Sequence, residues 1–287
     1  MGINIYIDGD ILVYQSIWGA KSTKDIKKKI DQTIAGIMAD LEGSSGKIAI
    51  KGNNNFRKKI YGPYKSNRKK ELTEQEKEFF EYTYKYLEDS WGAIPAEGME
   101  ADDLLAMWNT EEPGVIVSID KDLLQVPGLH FNTRKKEYVN MTEDDASLLL
   151  HTQVLMGDSV DNIPGLKGIG KVKAGKLMEN IPASEHLAVV KSFWQKSFGR
   201  GWEDNLQLNM DLIYLKRSAD DRYNIRTGNR FISKVRDSSR KGLEQSKGIP
   251  SKPTEELGLR NDYWGDEEGG SIQPKGASSN GDAVVGC

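Results

Sequence analysis

The sequence predicts an α/β fold, a mostly parallel sheet covered by helices, followed by an all-helical unit. Three observations lead there. Two apolar segments, "INIYID" (3–8) and "GVIVSID" (114–120), read as buried strands, and each ends in an aspartate. Strand-like and helix-like segments alternate up to about residue 150, as βαβ units do. From 151 to 235 the pattern is helical only. From Arg236 the chain turns rich in Gly, Ser, Pro and charge with few apolar anchors, so 236–287 is expected to be disordered.

The elements follow in order. "INIYID" opens the sheet. "KDIKKKIDQTIAGIMADLEG" places Ile26, Ile30, Ile34, Ile37 and Leu41 at helical spacing, with Gly43 as a stop. "KIAI" (47–50) is a short strand, and a basic stretch follows it. Thr73 and Glu76 form a capping-box pair at the start of a helix running to Trp91. "EADDLLAMWN" (100–109) starts another helix, and "GVIVSID" is the clearest buried strand. "LHFNT" and "KEYV" resemble a hairpin. "TEDDASLLLHTQVLMG" is a helix with Thr142 as N-cap.

Of the 287 residues, 37% are hydrophobic and 29% charged, which suits a soluble protein with some unpacked sequence. The apolar runs are too short to span a bilayer, and the start lacks the basic and apolar regions of a signal peptide. The single cysteine, Cys287, excludes intrachain disulfides and cysteine metal clusters and fits a reducing cytoplasm. The net charge of −3 hides a segregated distribution. Lys51 to Lys70 holds eight basic residues and no acid, and Lys167 to Lys176 holds four lysines and no acid. Such a chain can bind phosphates in one place and metals in another.

Acids sit beside strand ends or helix starts in four segments: Asp8 and Asp10; Glu100, Asp102 and Asp103; Asp120 and Asp122; Asp158 and Asp161. Each has an ordinary explanation, as a helix cap, a turn residue or a complement to the helix dipole. Together they suggest more, because ligands of open parallel sheets sit outside the carboxyl ends of the strands. Asp158 and Asp161, three apart, share a face if that stretch is helical. Converging, these carboxylates would demand cations, and oxygen ligands without Cys point to Mg²⁺ or Mn²⁺. Two ions about 4 Å apart would support an in-line phosphoryl displacement. His130, His151 and His186 have nothing ligand-like around them.

"GLKGIGKV" (165–172) nearly matches a phosphate-binding P-loop, but Val172 stands where a hydroxyl is required and no strand precedes it, which argues against an ATPase. A helix-hairpin-helix fits better. A helix carrying Leu155 and Asp158 ends, "PGLKGIG" turns, and a second helix begins, its glycines and N-terminus open to phosphate.

The run "GDSVDNIPGLKGIGKVKA" (157–174), with "EADDLLA" and "SIDKDLLQ" upstream, resembles the 5′-nuclease, or flap endonuclease, family, and within it the bacteriophage 5′→3′ exonucleases and the 5′-nuclease domains of bacterial DNA polymerases. The likeness covers about residues 3–220. It implies a PIN-like α/β core with a helical arch over 1–150, a helix-hairpin-helix (H3TH) DNA-binding domain over 151–235, and the tail. It implies two Mg²⁺ ions, replaceable by Mn²⁺, on Asp8, Glu100, Asp102, Asp103, Asp120, Asp122, Asp158 and Asp161, with K⁺ a candidate ion at the helix-hairpin-helix. Asp8, Asp102, Asp122 and Lys65 are the implied catalytic set, Lys65 reaching the scissile phosphate from the segment "FRKKIYGPYKSNRKK" (56–70). Arg57, Lys65, Arg68, Lys69, Lys167, Gly168, Gly170, Lys171 and Lys173 are the implied DNA contacts, with Phe56, Tyr61 and Tyr64 interleaved as stacking surfaces. The expected partner is DNA with a 5′ end, nick, gap or flap, with RNA–DNA hybrids a further candidate and a monomer in the cytoplasm the expected form. One departure stands out. The family usually carries an aspartate shortly before "FR", and here the stretch is "IKGNNNF" (50–56), which implies weaker metal binding at one site. The rival readings are a non-catalytic branched-DNA-binding protein that keeps the fold and an RNA-cleaving PIN nuclease.

Overall fold

The computed structural model describes residues 3–68 and 71–228. The expected DNA contact Lys69 and the expected tail lie outside these residues. The elements in order are β1 (Ile3–Asp8), α1 (Gly9–Ile17), α2 (Thr23–Asp40), β2 (Gly43–Lys51), α3 (Phe56–Ile60), α4 (Glu74–Trp91), β3 (Ile94–Ala96), α5 (Ala101–Glu111), β4 (Val115–Val117), β5 (Gly128–Asn132), β6 (Glu137–Met141), α6 (Glu143–Met156), β7 (Gly157–Asp158), β8 (Ile163–Pro164), α7 (Lys171–Met178), α8 (His186–Phe198) and α9 (Trp202–Ile213). Short 3-10 turns occupy Ser66–Arg68, Lys121–Gln125 and Ala183–Glu185.

The main sheet runs β3-β2-β1-β4-β5-β6 and is parallel except for the β5–β6 hairpin. The chain therefore starts in the middle, builds outward through β2 and β3, then crosses back to β4. The order reverses between β1 and β4, and a crevice opens at the carboxyl ends of these two strands. Asp8 ends β1, and Ser118 and Asp120 follow β4, so the two strand-end aspartates meet at that reversal.

Strand alternation divides the core. Ile3, Ile5, Ile7, Val115 and Val117 pack with Ile26, Ile30, Ile34, Phe79 and Leu87 of α2 and α4. Tyr6 and Ile116 face the other way, onto Leu105 and Ala106 of α5. The isoleucine stripe of α2 is buried as its spacing predicts, each side chain contributing roughly 1.5–3 kcal/mol. Both expected threonine caps are present, Thr73 with Glu76 and Thr142 with Asp145.

Four features depart from expectation. Helix α1 follows Asp8 directly. Its sequence, "GDILVYQSI", lacks polar–apolar contrast, so periodicity did not reveal it. A Cβ on Gly9 would stand 2.5 Å from Ile50 and 2.7 Å from the Ala49 carbonyl, so only glycine lets the helix begin against β2. Strand β3 contains Pro95, which an edge strand tolerates. Helix α6 stops at Met156, so Asp158 is not helical. Gly157 adopts a left-handed φ of 71°, and Asp158 enters the short antiparallel β7–β8 pair. The second unit is thus not purely helical. Helices α6 to α9 share a separate core that includes Leu155, Ile163, Leu166, Trp194 and Met210.

His130 of β5 is buried, its Nε2–H donating to the Val126 carbonyl at 2.7 Å. Burial pulls its pKa down from 6.5 to about 4. A folded value below the unfolded one means that the stabilisation is complete above the ordinary pKa and is lost as pH falls toward the folded value. This residue should remove about 2 kcal/mol of stability between pH 7 and pH 5. Urea unfolding at both pH values should show a smaller loss in His130→Gln than in the wild type, and equal losses would refute this reading.

Candidate functional site

The crevice at the strand reversal continues into a pocket lined by Arg57, Tyr64, Lys65, Arg68, Glu100, Asp102, Asp120, Asp122, Gln125, Gln153, Asp158 and Asp161, with Ile163, Leu212, Ile213 and Leu215. Asp8 caps α1. One of its oxygens accepts from the amides of Asp10 and Ile11 at 3.1 and 3.3 Å, and the other accepts from the Ser118 hydroxyl at 2.9 Å. Asp120 caps the 3-10 turn that carries Asp122 and receives its amide at 2.9 Å. Asp158 closes a tight turn by accepting the amides of Val160 and Asp161 at 2.7 and 3.2 Å. For Asp8, Asp120 and Asp158 the ordinary role as a cap or turn residue is thus real, and it is also what aims the acid. The pairing of Asp158 and Asp161 comes from this turn and not from a helical face.

Electrostatics tie the acids into one group. Burial, then Asp10 and Asp120, push Asp8 up to about 7. Burial, then Asp120 and Asp158, push Asp122 up to about 7. Asp102 is raised well above the carboxylate range by burial and then by Asp120, Asp8 and Glu100. Burial also raises Asp161, against the pull of Lys65 and Arg68. Seven of the eight expected ligands therefore interact across one crevice: Asp8, Glu100, Asp102, Asp120, Asp122, Asp158 and Asp161. Among the described residues no group of three or more His, Cys, Asp or Glu side chains stands in place to hold a metal ion, so the acids share the crevice without closing on one point. Asp10 joins the group's edge, accepting from the Lys51 amide at 3.0 Å and the Tyr84 hydroxyl at 3.1 Å. Lys51 belongs to the stretch "IKGNNNF" (50–56), which has no aspartate.

Asp103 is the exception and corrects the expected ligand set. It is fully buried, and its oxygens accept from Arg57 Nη1 at 2.5 Å and Nη2 at 2.9 Å and from the amides of Lys216 and Glu100 at 2.9 and 3.0 Å. Burial alone would raise its pKa, but Arg57 and the amides outweigh it and hold Asp103 below the carboxylate range. Arg57 is corrected with it. It is 1% exposed, Nε and Nη2 donate to the carbonyls of Leu212 and Tyr214 at 2.9 and 2.8 Å, and Nη1 also faces Glu100 at 3.6 Å, so its charge is spent inside the protein rather than on a surface for DNA.

The rest of the basic segment divides similarly. Tyr64 is buried, its hydroxyl donating to Glu100 at 2.7 Å with Asp161 3.3 Å away, so it is not a stacking surface. Tyr61 is half-buried in the helical core, and Phe56 lies under Lys216, 5.0 Å from the ring centre. Lys65, half-buried with a left-handed φ of 55°, pairs with Glu100 and lies 3.6 Å from Asp161. Arg68 pairs with Asp161 and is about half exposed. The other expected DNA contacts sit around the N-terminus of α7. Lys167 and Lys173 are exposed, Gly168 has a φ of 76°, and Gly170 occupies the cap position. The three histidines are all buried and structural: His151 binds the Ser147 carbonyl at 2.7 Å, and His186 the Ser147 hydroxyl at 3.0 Å. Sequence reasoning missed Gln125 and Gln153, which hydrogen-bond within the pocket wall. Nothing in a glutamine's spacing announces such a role.

A family model described as the 5′-3′ exonuclease N-terminal resolvase-like domain matches residues 5–149, half of the chain. DNA polymerase I of Rhizobium leguminosarum is 35% identical over 182 residues, 56% of this chain and 18% of that protein. The 5′-3′ exonuclease of Aquifex aeolicus is 28% identical over 137 residues, 43% of this chain and 47% of that protein. The flap endonuclease of Escherichia phage T5 is 30% identical over 148 residues, 43% of this chain and 51% of that protein. The chain thus matches about half or less of the length of these relatives. The solved structure of the T5 D15 protein co-crystallised with metal ions matches with a TM-score of 0.59 at 20% identity, covering 74% of this chain and 89% of that one. A complex of the T5 D15 flap endonuclease with DNA and metal ions gives a TM-score of 0.58 at 20% identity, with the same coverage. At that identity the likeness establishes the fold, a resolvase-like α/β core.

The Arg57–Asp103 pair generates a stability test. Arg57→Met leaves a carboxylate buried without its counter-charge, which should cost about 3–5 kcal/mol in urea unfolding. Arg57→Met with Asp103→Asn removes that charge and should recover part of the loss. Additive losses in the double variant would show that the two side chains act separately.

Proposed function

The chain belongs to the 5′-3′ exonuclease family through its N-terminal resolvase-like domain, and from that premise we propose that it is a divalent-metal-dependent nuclease, hydrolysing phosphodiester bonds of DNA at 5′ ends, nicks or flaps. The observation that carries this reading is the convergence of seven carboxylates from four separate segments on one crevice at the sheet's strand reversal. Such a group repels itself, and burial has already pushed Asp8 and Asp122 to about 7. The donors are oxygens alone, which suits Mg²⁺, with Mn²⁺ as a substitute. Relatives of this fold have been crystallised with metal ions and with DNA, which supports the same reading here.

In this proposal Asp8, Asp102, Asp120, Asp122 and Asp158 hold two Mg²⁺ ions, with Glu100 and Asp161 joining them. Bound there, the metal pair supplies an activated water and offsets charge on the leaving 3′-oxygen. Lys65, now paired with Glu100, offers its ammonium to the scissile phosphate. Arg68 offers part of its guanidinium to the same strand. Lys167, Gly168, Gly170, Lys171 and Lys173 grip duplex phosphates at the start of α7, where helix polarity and lysine charge both favour anions. We take that turn as the expected helix-hairpin-helix. Its tight connection to Asp158 and Asp161 fixes the distance from duplex grip to cut. A Cβ on Gly165 would lie 2.1 Å from the Met156 carbonyl, so this connection requires glycine.

Digestion of 5′-labelled blunt, nicked and flapped duplexes in Mg²⁺, with product sizing, should give nucleotides or short oligonucleotides from the 5′ end. EDTA and Asp122→Asn should each abolish cleavage while DNA binding stays largely intact. Full cleavage by Asp122→Asn would remove the metal-dependent reading. Lys65→Ala should lower the single-turnover rate at saturating DNA on the order of a hundredfold, as loss of a transition-state donor does. A change in apparent affinity alone would make Lys65 part of an electrostatic funnel and not of the chemistry.

A further inference from the structure

Two buried glutamines connect the pocket to the helical unit. Gln153 of α6 donates from Nε2 to Asp122 Oδ1 at 2.6 Å. Its Oε1 accepts from Gln125 Nε2 at 2.7 Å, and the same nitrogen donates to the Ile213 carbonyl at 3.1 Å. Both side chains are at most 5% exposed.

The direction of this relay follows from its far end. A backbone carbonyl only accepts, so the amide nitrogen of Gln125 must face Ile213. Its second proton then meets Gln153, which must present oxygen to Gln125 and nitrogen to Asp122. Turning Gln153 around would set its oxygen against a carboxylate and its NH₂ against another NH₂. Holding this orientation leaves Gln125 Oε1 buried without a hydrogen-bond partner, a costly arrangement. Outside the side chain, Arg217 Nη2 donates to the Gln125 carbonyl at 3.0 Å and fixes the backbone.

We propose that Gln153 is a positioning residue for Asp122, oriented by Gln125, and that it commits Oδ1 to the protein and leaves Oδ2 for a cation. The inference rests on the metal-binding reading above. The relay begins at the carbonyl that ends α9, so the seating of that helix sets the aim of a carboxylate contributed by the β4 side of the sheet. Partners that orient ligands from behind typically change metal affinity by about ten- to a hundredfold when removed.

The test uses the full chain and Mn²⁺ as the probe, with free Mn²⁺ read by electron paramagnetic resonance. Gln153→Met keeps length and volume but has no donor. It should raise the Mn²⁺ dissociation constant about ten- to a hundredfold. Gln125→Met, one link further away, should raise it in the same direction by less. In an Asp122→Ala background, Gln153→Met should change nothing further, whereas a merely structural glutamine would add its own factor to that of Asp122→Ala. If Asp122→Ala itself leaves Mn²⁺ binding unchanged, the metal reading fails. If it weakens binding while both methionine variants stay within roughly twofold of the wild type, only the positioning role is overturned. Should Gln153→Met fail to fold, Gln125→Met carries the same comparison alone.

Discussion

The ion pair between Arg57 and Asp103 is the constraint around which the site is arranged. Both charges are removed from water, so each holds the other, and Arg57 also donates from Nε and Nη2 to the carbonyls of Leu212 and Tyr214. One side chain thus joins α3, the start of α5 and the end of α9. The pair also decides what the neighbouring acids do. In the first turn of α5, turning Asp103 into the core swings Asp102 by about 100° toward the crevice. Glu100, the cap residue, gives its amide to Asp103 and turns its carboxylate to Tyr64 and Lys65. The string "EADD" is therefore one structural acid and two site acids.

That division was not legible in the sequence. Three acids in four residues look equivalent until a partner is known, and the partner of Asp103 lies 46 positions away. Arg57 looked like one of eight bases in a stretch without acids, and only burial separates it from Lys65 and Arg68. What was legible came from periodicity and caps. The isoleucines of α2, the strands ending in Asp8 and before Asp120, and the threonine caps depend on residues close in sequence. The turn at Asp158 was misread because a helix and an aspartate-closed turn both place residues three apart near each other. Gln153 and Gln125 gave no signal, because their role depends on a carbonyl at the end of α9.

The crevice is electrostatically polarised. On one side the chain's own cations hold the acids, with Lys65 on Glu100 and Arg68 on Asp161. On the other, no ion pair to Asp8, Asp102 or Asp122 is found among the described residues, and burial and neighbouring acids raise all three, the more distant Lys65 and Lys121 offsetting only part of this at Asp102 and Asp122. A cation entering from solvent gains most on the second side, where no side-chain cation must be displaced. On the first it competes with an ammonium and a guanidinium already in place. The fold therefore ranks its carboxylates by availability before any ligand arrives.

The basic segment is joined to the turn after β7 by a seam of hydrogen bonds. The Lys65 amide donates to the Asp161 carbonyl at 2.8 Å, Asn67 to Ser159 at 2.9 Å, Arg68 to Val160 at 3.3 Å, and Asn162 to Pro63 at 2.9 Å. Every acceptor in these four bonds is a main-chain carbonyl, which any amino acid supplies. Over evolutionary drift the side chains at 63, 159 and 160 could change widely while the seam stayed closed. Only the donors Asn67, Arg68 and Asn162 would keep a trace of it. Two homologous chains could then share this joint with almost no matching letters along it.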